Sequence, residues 1–217
     1  LNNDLRYYDS VDLYLREQIA YETATETIRR QWAVFRETFS IKDIFVHPYA
    51  RVDNKYGYTY GEPIELQDWV LSHLQDPGMQ DQVIFIEAVP GRGKSAFCQI
   101  FSDWVQAHQR WSWIPTLIRL QHVTQNDLRL GIDEFLQQHI NGGFTREDIW
   151  LTDRNTRYLF ILDGFDDLLM KSSISDVESF MAKISRFQEI CSESSEKEHR
   201  FIVTGRTLAI ELIEKTL

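Results

Sequence analysis

Val83-Ile84-Phe85-Ile86-Glu87-Ala88-Val89-Pro90-Gly91-Arg92-Gly93-Lys94-Ser95 is the stretch on which the fold of this 217-residue chain turns. Val83 to Ile86 is an apolar run that reads as a buried strand. Pro90 to Gly93 break it, and Lys94-Ser95 opens a helical pattern. Strand, glycine loop, Lys-Ser and helix together are the context of a phosphate-binding loop. Glycines let backbone N–H groups turn inward and close on phosphate oxygens. The helix starting near Lys94 aims its unpaired N–H groups and positive dipole end at the same anion. On this reading Ala88, Val89, Pro90, Gly91, Arg92, Gly93, Lys94, Ser95 and Ala96 form the nucleotide cradle. Lys94 neutralises β/γ-phosphate charge and the Ser95 hydroxyl ligates Mg²⁺. The usual octet begins with glycine; here Ala88 stands in that place, the smallest substitute at a position that ends the strand.

Composition sets the frame. The chain is 43% apolar and 26% charged, ordinary for a globular protein, and long enough for one α/β domain with an extension. Its 23 Lys and Arg against 33 Asp and Glu leave a net charge of −10. That balance disfavours direct binding to nucleic acid or to an anionic membrane. No apolar run approaches a membrane span, and no signal peptide is visible. Cys98 and Cys191 lie far apart and read as free thiols of a reducing compartment, so a cytoplasmic location is expected. The chain begins at Leu1 without Met and stops at Leu217 inside a helical pattern, as expected of a piece of a longer protein.

Upstream of the loop, Ser10 to Phe39 carries a helical pattern with Val11, Leu15 and Ile19, then Ile28, Trp32, Phe35 and Phe39, on one face. Residues 1–43 are therefore expected to be an N-terminal helical segment, and 44–217 a nucleotide-binding domain. Ile44-Phe45-Val46 reads as a short strand ending at His47-Pro48. Pro63 fits the first turn of a helix running to Leu74, closed by Asp76-Pro77-Gly78. Downstream, strand and helix alternate. A helix is expected over Lys94–His108, a strand over Thr116–Leu120, a helix over Asp127–Ile140 and a short one over Thr145–Trp150. The apolar strand Tyr158–Leu162, a helix over Ser175–Cys191, a polar loop Ser192–His199 and the strand Arg200–Thr204 follow. Such alternation predicts an α/β fold, a P-loop NTPase parallel sheet with helices on both faces.

The second chemical motif is Asp163-Gly164-Phe165-Asp166-Asp167, at the end of the apolar strand and 69 residues after Lys94 (163 − 94). Carboxylates at the C-terminal tip of a parallel strand face the crevice where ligands of such sheets bind. An Asp there can hold Mg²⁺ opposite Ser95, and a further acid can polarise the attacking water. A small residue after the first Asp, with two acids in the next three positions, resembles the NACHT family of P-loop NTPases. Ala88 to Ser95, Pro115-Thr116-Leu117-Ile118-Arg119-Leu120 and Val203-Thr204-Gly205-Arg206 are similar to other parts of that family. The resemblance spans roughly Ile44 to Leu217; the family more often has Ser where Gly205 stands.

The resemblance implies a weak ATPase that works as a regulatory switch of a modular signalling or defence protein. ATP/ADP exchange with Mg²⁺ would control self-oligomerisation of the full-length protein. It assigns Asp163 to the metal, Asp166 and Asp167 to the attacking water, and Arg206 to sensing the γ-phosphate. It places the strand 200–204 between the strands 83–87 and 158–162, with 116–120 outermost. The edge beyond 83–87 would be open or covered near Ile44–Val46. Adenine is expected near Phe45 to Arg51, with Tyr49 available for stacking. Two rival readings stand beside this one: a nucleotide-bound interaction scaffold without turnover, and a related motor or loader ATPase. A small-molecule kinase would need an acceptor pocket and lid for which the sequence shows no signal.

Overall fold

Apolar runs that are buried on both sides can only be the inner strands of a sheet covered on both faces. In a computed structural model of the chain, residues 45–53, 59–76, 83–109, 113–140, 157–194, 199–207 and 209–210 are described. The expected helical segment 1–43 and short helix 145–150 lie outside them. In chain order the elements are β1 (Tyr49–Asp53), β2 (Thr59–Glu65), α1 (Leu66–Gln75), β3 (Val83–Glu87), α2 (Lys94–His108) and β4 (Ile114–Arg119). A 3-10 turn (Leu120–His122) leads to α3 (Gln125–Arg129) and α4 (Ile132–Ile140). Then come β5 (Tyr158–Asp163), α5 (Phe165–Lys171), α6 (Ile174–Ser194) and β6 (Arg200–Gly205).

Four strands pair in parallel in the order β3-β6-β5-β4, and β5 and β6 are buried at every position. The molecule is thus α/β, with a four-stranded parallel sheet flanked by helices. The strand carrying Arg206 at its end lies between the loop strand and the acidic strand, the order expected above. Strand alternation divides the core. Tyr158, Phe160 and Leu162 of β5 pack with Phe135, Phe165, Phe180 and Ile184 under α4, α5 and α6. Leu159 and Ile161 pack with Val70, Phe97, Cys98 and Phe101 under α1 and α2. Phe160, Phe165, Phe180 and Phe201 are almost wholly enclosed; truncating one to alanine would cost about 3–5 kcal/mol.

The structure corrects several expectations. Pro63 lies in β2 rather than in a helix. The β1–β2 register pairs Ala50 with Ile64 and Val52 with Tyr60, leaving Gly61-Glu62-Pro63 opposite Arg51 alone. In such a bulge a residue without an N–H does no harm to the ladder. Phe45 and Val46 form no strand, and Ile44 lies outside the described residues; the extended segment starts at Tyr49 and makes its own hairpin sheet. Among the described residues no strand flanks the outer side of β3. The expected helix 127–140 is two helices. Thr124 and Asp127 form a reciprocal capping box that starts α3, and Leu130 is extended before Gly131. Residues 192–194 extend α6, and His199 is buried, its ring near Tyr158, Phe160 and Phe187.

The short α3 ends in carbonyls that α6 satisfies: the Lys183 ammonium donates to Leu128 O (2.8 Å) and Leu130 O (2.9 Å). Lys183→Met should therefore lower unfolding free energy by about 1–3 kcal/mol, the scale of charged hydrogen bonds. Urea denaturation measures it, and an unchanged midpoint would show that the carbonyls are equally well served by water.

Candidate functional site

The loop after β3 begins where the strand hands over to its neighbour. Strand pairing ends with Glu87, and the Ala88 N–H donates to Gly205 O of β6 at 3.2 Å. The chain then passes through Gly91 and Gly93, with φ of 77° and 80°. An added Cβ at either would meet no atom within 4 Å, so the left-handed backbone is what calls for glycine there. Gly93 caps α2, its carbonyl accepting from Phe97 N–H at 2.8 Å. The Lys94 ammonium folds back across the loop and donates to Ala88 O at 2.6 Å. Ala88 thus anchors both ends of the cradle through its backbone, which any small residue can do. Val89, Pro90, Arg92 and Ser95 are exposed, while Lys94 and Ala96 are half-buried.

At the tip of β5, Asp163 is only 6% exposed. Its Oδ1 accepts from the Ser95 hydroxyl at 3.1 Å and from the Thr204 hydroxyl at 2.8 Å. The Thr204 hydroxyl in turn accepts from Gly164 N–H at 3.2 Å. Strands β5 and β6 and the first turn of α2 therefore meet at one carboxylate. Burial pushes the Cys98 thiol well above its ordinary value, and the nearby Asp163 carboxylate reinforces it. Cys98 is a neutral, enclosed group beneath this carboxylate, in keeping with an inert buried thiol.

Asp166 and Asp167 occupy the first turn of α5. Gly164 caps it at φ 85°, and an added Cβ would lie 2.9 Å from Asp167 Oδ2. A small residue after Asp163 is thus required twice, by conformation and by space. Asp166 Oδ2 is 2.7 Å from Arg206 Nε, with Arg206 about half exposed. Gly205 is tight for another reason, since a Cβ would stand 3.1 Å from Ile210 Cδ1 and 3.3 Å from Phe165 Cβ.

The structure brings Ser95 to Asp163 and Asp166 to Arg206. It leaves Tyr49 exposed at the start of β1 and packs Phe45 partly against the core beside α1 and α2. Sequence reasoning missed Thr204 as a site residue; its signal was a hydroxyl one position before the glycine at the tip of β6. Among the described residues no group of three or more His, Cys, Asp and Glu could hold a metal. A Ser hydroxyl and one carboxylate are hard oxygen donors, and such a sparse set fits Mg²⁺, which keeps most of its water and takes further ligands from phosphate. No helix among the described residues is long and apolar enough to cross a membrane.

The chain matches no protein-family model and no curated protein.

Thr204→Val keeps the shape but removes both hydroxyl bonds, and should cost about 1–3 kcal/mol of stability, read by thermal or urea unfolding. Mass-spectrometric mapping of iodoacetamide labelling should find Cys98 unmodified in the native protein and labelled once denaturant is added. Rapid native labelling would mean that the thiol is not enclosed.

Proposed function

We propose that this chain is the core of a P-loop NTPase resembling the NACHT family, an ATP-operated switch with slow hydrolysis as its timer. The observation that carries the reading is the 3.1 Å contact of Ser95 Oγ with Asp163 Oδ1, between residues 68 positions apart. A glycine turn with a solvated lysine gives no reason for its Ser to meet an acidic strand tip. A metal–phosphate site does.

In this reading the loop N–H groups and the α2 dipole hold the phosphates, and Lys94 exchanges Ala88 O for a phosphate oxygen. Ser95 and Asp163 would hold Mg²⁺, which when bound neutralises phosphate charge. Thr204 keeps the Asp163 carboxylate oriented. Asp166 and Asp167 are the candidates for accepting the proton of the attacking water, and Arg206 for sensing the terminal phosphate. In a longer protein, exchange of ADP for ATP would control self-association. One observation favours the scaffold reading instead: the Asp166–Arg206 pair engages two of the groups that turnover would need. Bound ADP with no measurable turnover would select it.

Native mass spectrometry of the purified protein should show copurifying ADP or ATP. Lys94→Ala should weaken Mg-ATP binding by about 10- to 100-fold, the worth of one to two charge-assisted hydrogen bonds; parental affinity would remove the phosphate-loop reading. Asp167→Asn should bind ATP normally and lose about 100-fold or more in turnover. Parental turnover would pass the role to Asp166, testable by Asp166→Asn.

A further inference from the structure

β4 ends at Arg119, whose Cα pairs in register with that of Asp163. Along β4, Ile118 belongs to the core under α4, α5 and α6, and Leu117 to the core under α1 and α2. Alternation therefore sets Arg119 on the α2 side of the sheet. Asp163 shares that side, where it meets Ser95 and Thr204. The Nε and Nη2 atoms of Arg119 are buried and have no hydrogen-bond partner among the described residues. Gln99 Oε1, on α2 one turn beyond Ser95, is likewise buried without a partner there. Three other cations are engaged: Lys94 by Ala88 O, Lys183 by two carbonyls and Arg206 by Asp166.

Guanidinium N–H groups taken from water without an acceptor are strongly unfavourable. The location sharpens this, because the positive end of α2 and the Lys94 ammonium add to the same potential. Such a place favours a further anion. Asp163 lies beside Arg119 but directs Oδ1 to two hydroxyls. A phosphate, by contrast, matches the planar fork of arginine. The strand order says which phosphate. Neighbouring strands stand about 4.8 Å apart. Across the C-terminal tips the sequence is glycine loop, Arg206, Asp163, Arg119. Arg119 thus stands one strand beyond Asp163, the residue that would hold Mg²⁺ against the terminal phosphates.

We propose that Arg119 is a binding residue of the nucleotide site that donates to the terminal phosphate of a nucleoside triphosphate and so distinguishes tri- from diphosphate. The inference rests on the phosphate-loop reading above. Calorimetric titration of the 217-residue chain with Mg-ADP and with a non-hydrolysable Mg-ATP analogue tests it, using the parent, Arg119→Gln, Arg119→Lys and Lys94→Ala. Arg119→Gln should lose about tenfold or more in triphosphate affinity, with ADP affinity within about twofold of the parent. Arg119→Lys, which keeps the charge without the fork, should lose part of that preference. Equal losses for both nucleotides, or a parental ratio, would overturn the proposal. Should Arg119→Gln not fold, a parental ratio in Arg119→Lys overturns it. A parental ratio in Arg119→Gln alongside loss of both nucleotides in Lys94→Ala would sink Arg119 alone. A parent that binds neither nucleotide sinks the phosphate-loop reading with it.

Discussion

One carboxylate oxygen, Asp163 Oδ1, receives hydroxyl hydrogen bonds from two elements that are remote in the chain, α2 and β6. A buried ionised carboxylate is tolerated only when its charge is answered by donors or by a cation. Ser95 and Thr204 supply the donors. To do so, the first turn of α2 must sit over the tips of β5 and β6, which sets the glycine loop between β3 and α2. The parallel order β3-β6-β5-β4 follows the same need, since β6 must lie between loop and acid for Thr204 to reach sideways. Beneath this contact the apolar core under α1 and α2 holds the helix at the required height, with Cys98 enclosed directly below.

The tips of the sheet are crowded around two glycines. Gly164 cannot carry a Cβ without meeting the Asp167 carboxylate, and Gly205 could carry one only against Ile210 and Phe165. These contacts link the first turn of α5 to the segment after β6. The Asp166–Arg206 ion pair links them again through charge. Under the proposed function, a terminal phosphate arriving there would compete with Asp166 for Arg206.

Much of the site was legible before any coordinates. Gly91, Gly93, Lys94 and Ser95 announce the loop because few other patterns place positive-φ residues directly before a helix. Asp163 is marked by its place at the end of an uninterrupted apolar strand. The errors have physical causes. Pro63 signals a helix start or a bulge equally well, and only the β1–β2 register, which sets Gly61-Glu62-Pro63 opposite Arg51, decides. The break at Gly131 was hidden by an apolar spacing that continues across it. Thr204 was overlooked because a hydroxyl in a β-rich run is ordinary until its neighbour across the sheet is known. Arg119 escaped notice for a similar reason: nothing local says that a strand-end arginine will bury two of its nitrogens without an acceptor among the described residues.

Local chemistry by itself determined the alternation of strands and helices, the glycine turn before α2 and the acidic strand end, because backbone conformation and burial periodicity are written residue by residue. Tertiary structure alone decided that Ser95 and Thr204 share one oxygen of Asp163, that Asp166 rather than Asp167 pairs with Arg206, and that Arg119 buries Nε and Nη2 without a partner among the described residues. Those are relations between strand tips, and they depend on lateral order and register in the sheet, which no local pattern encodes.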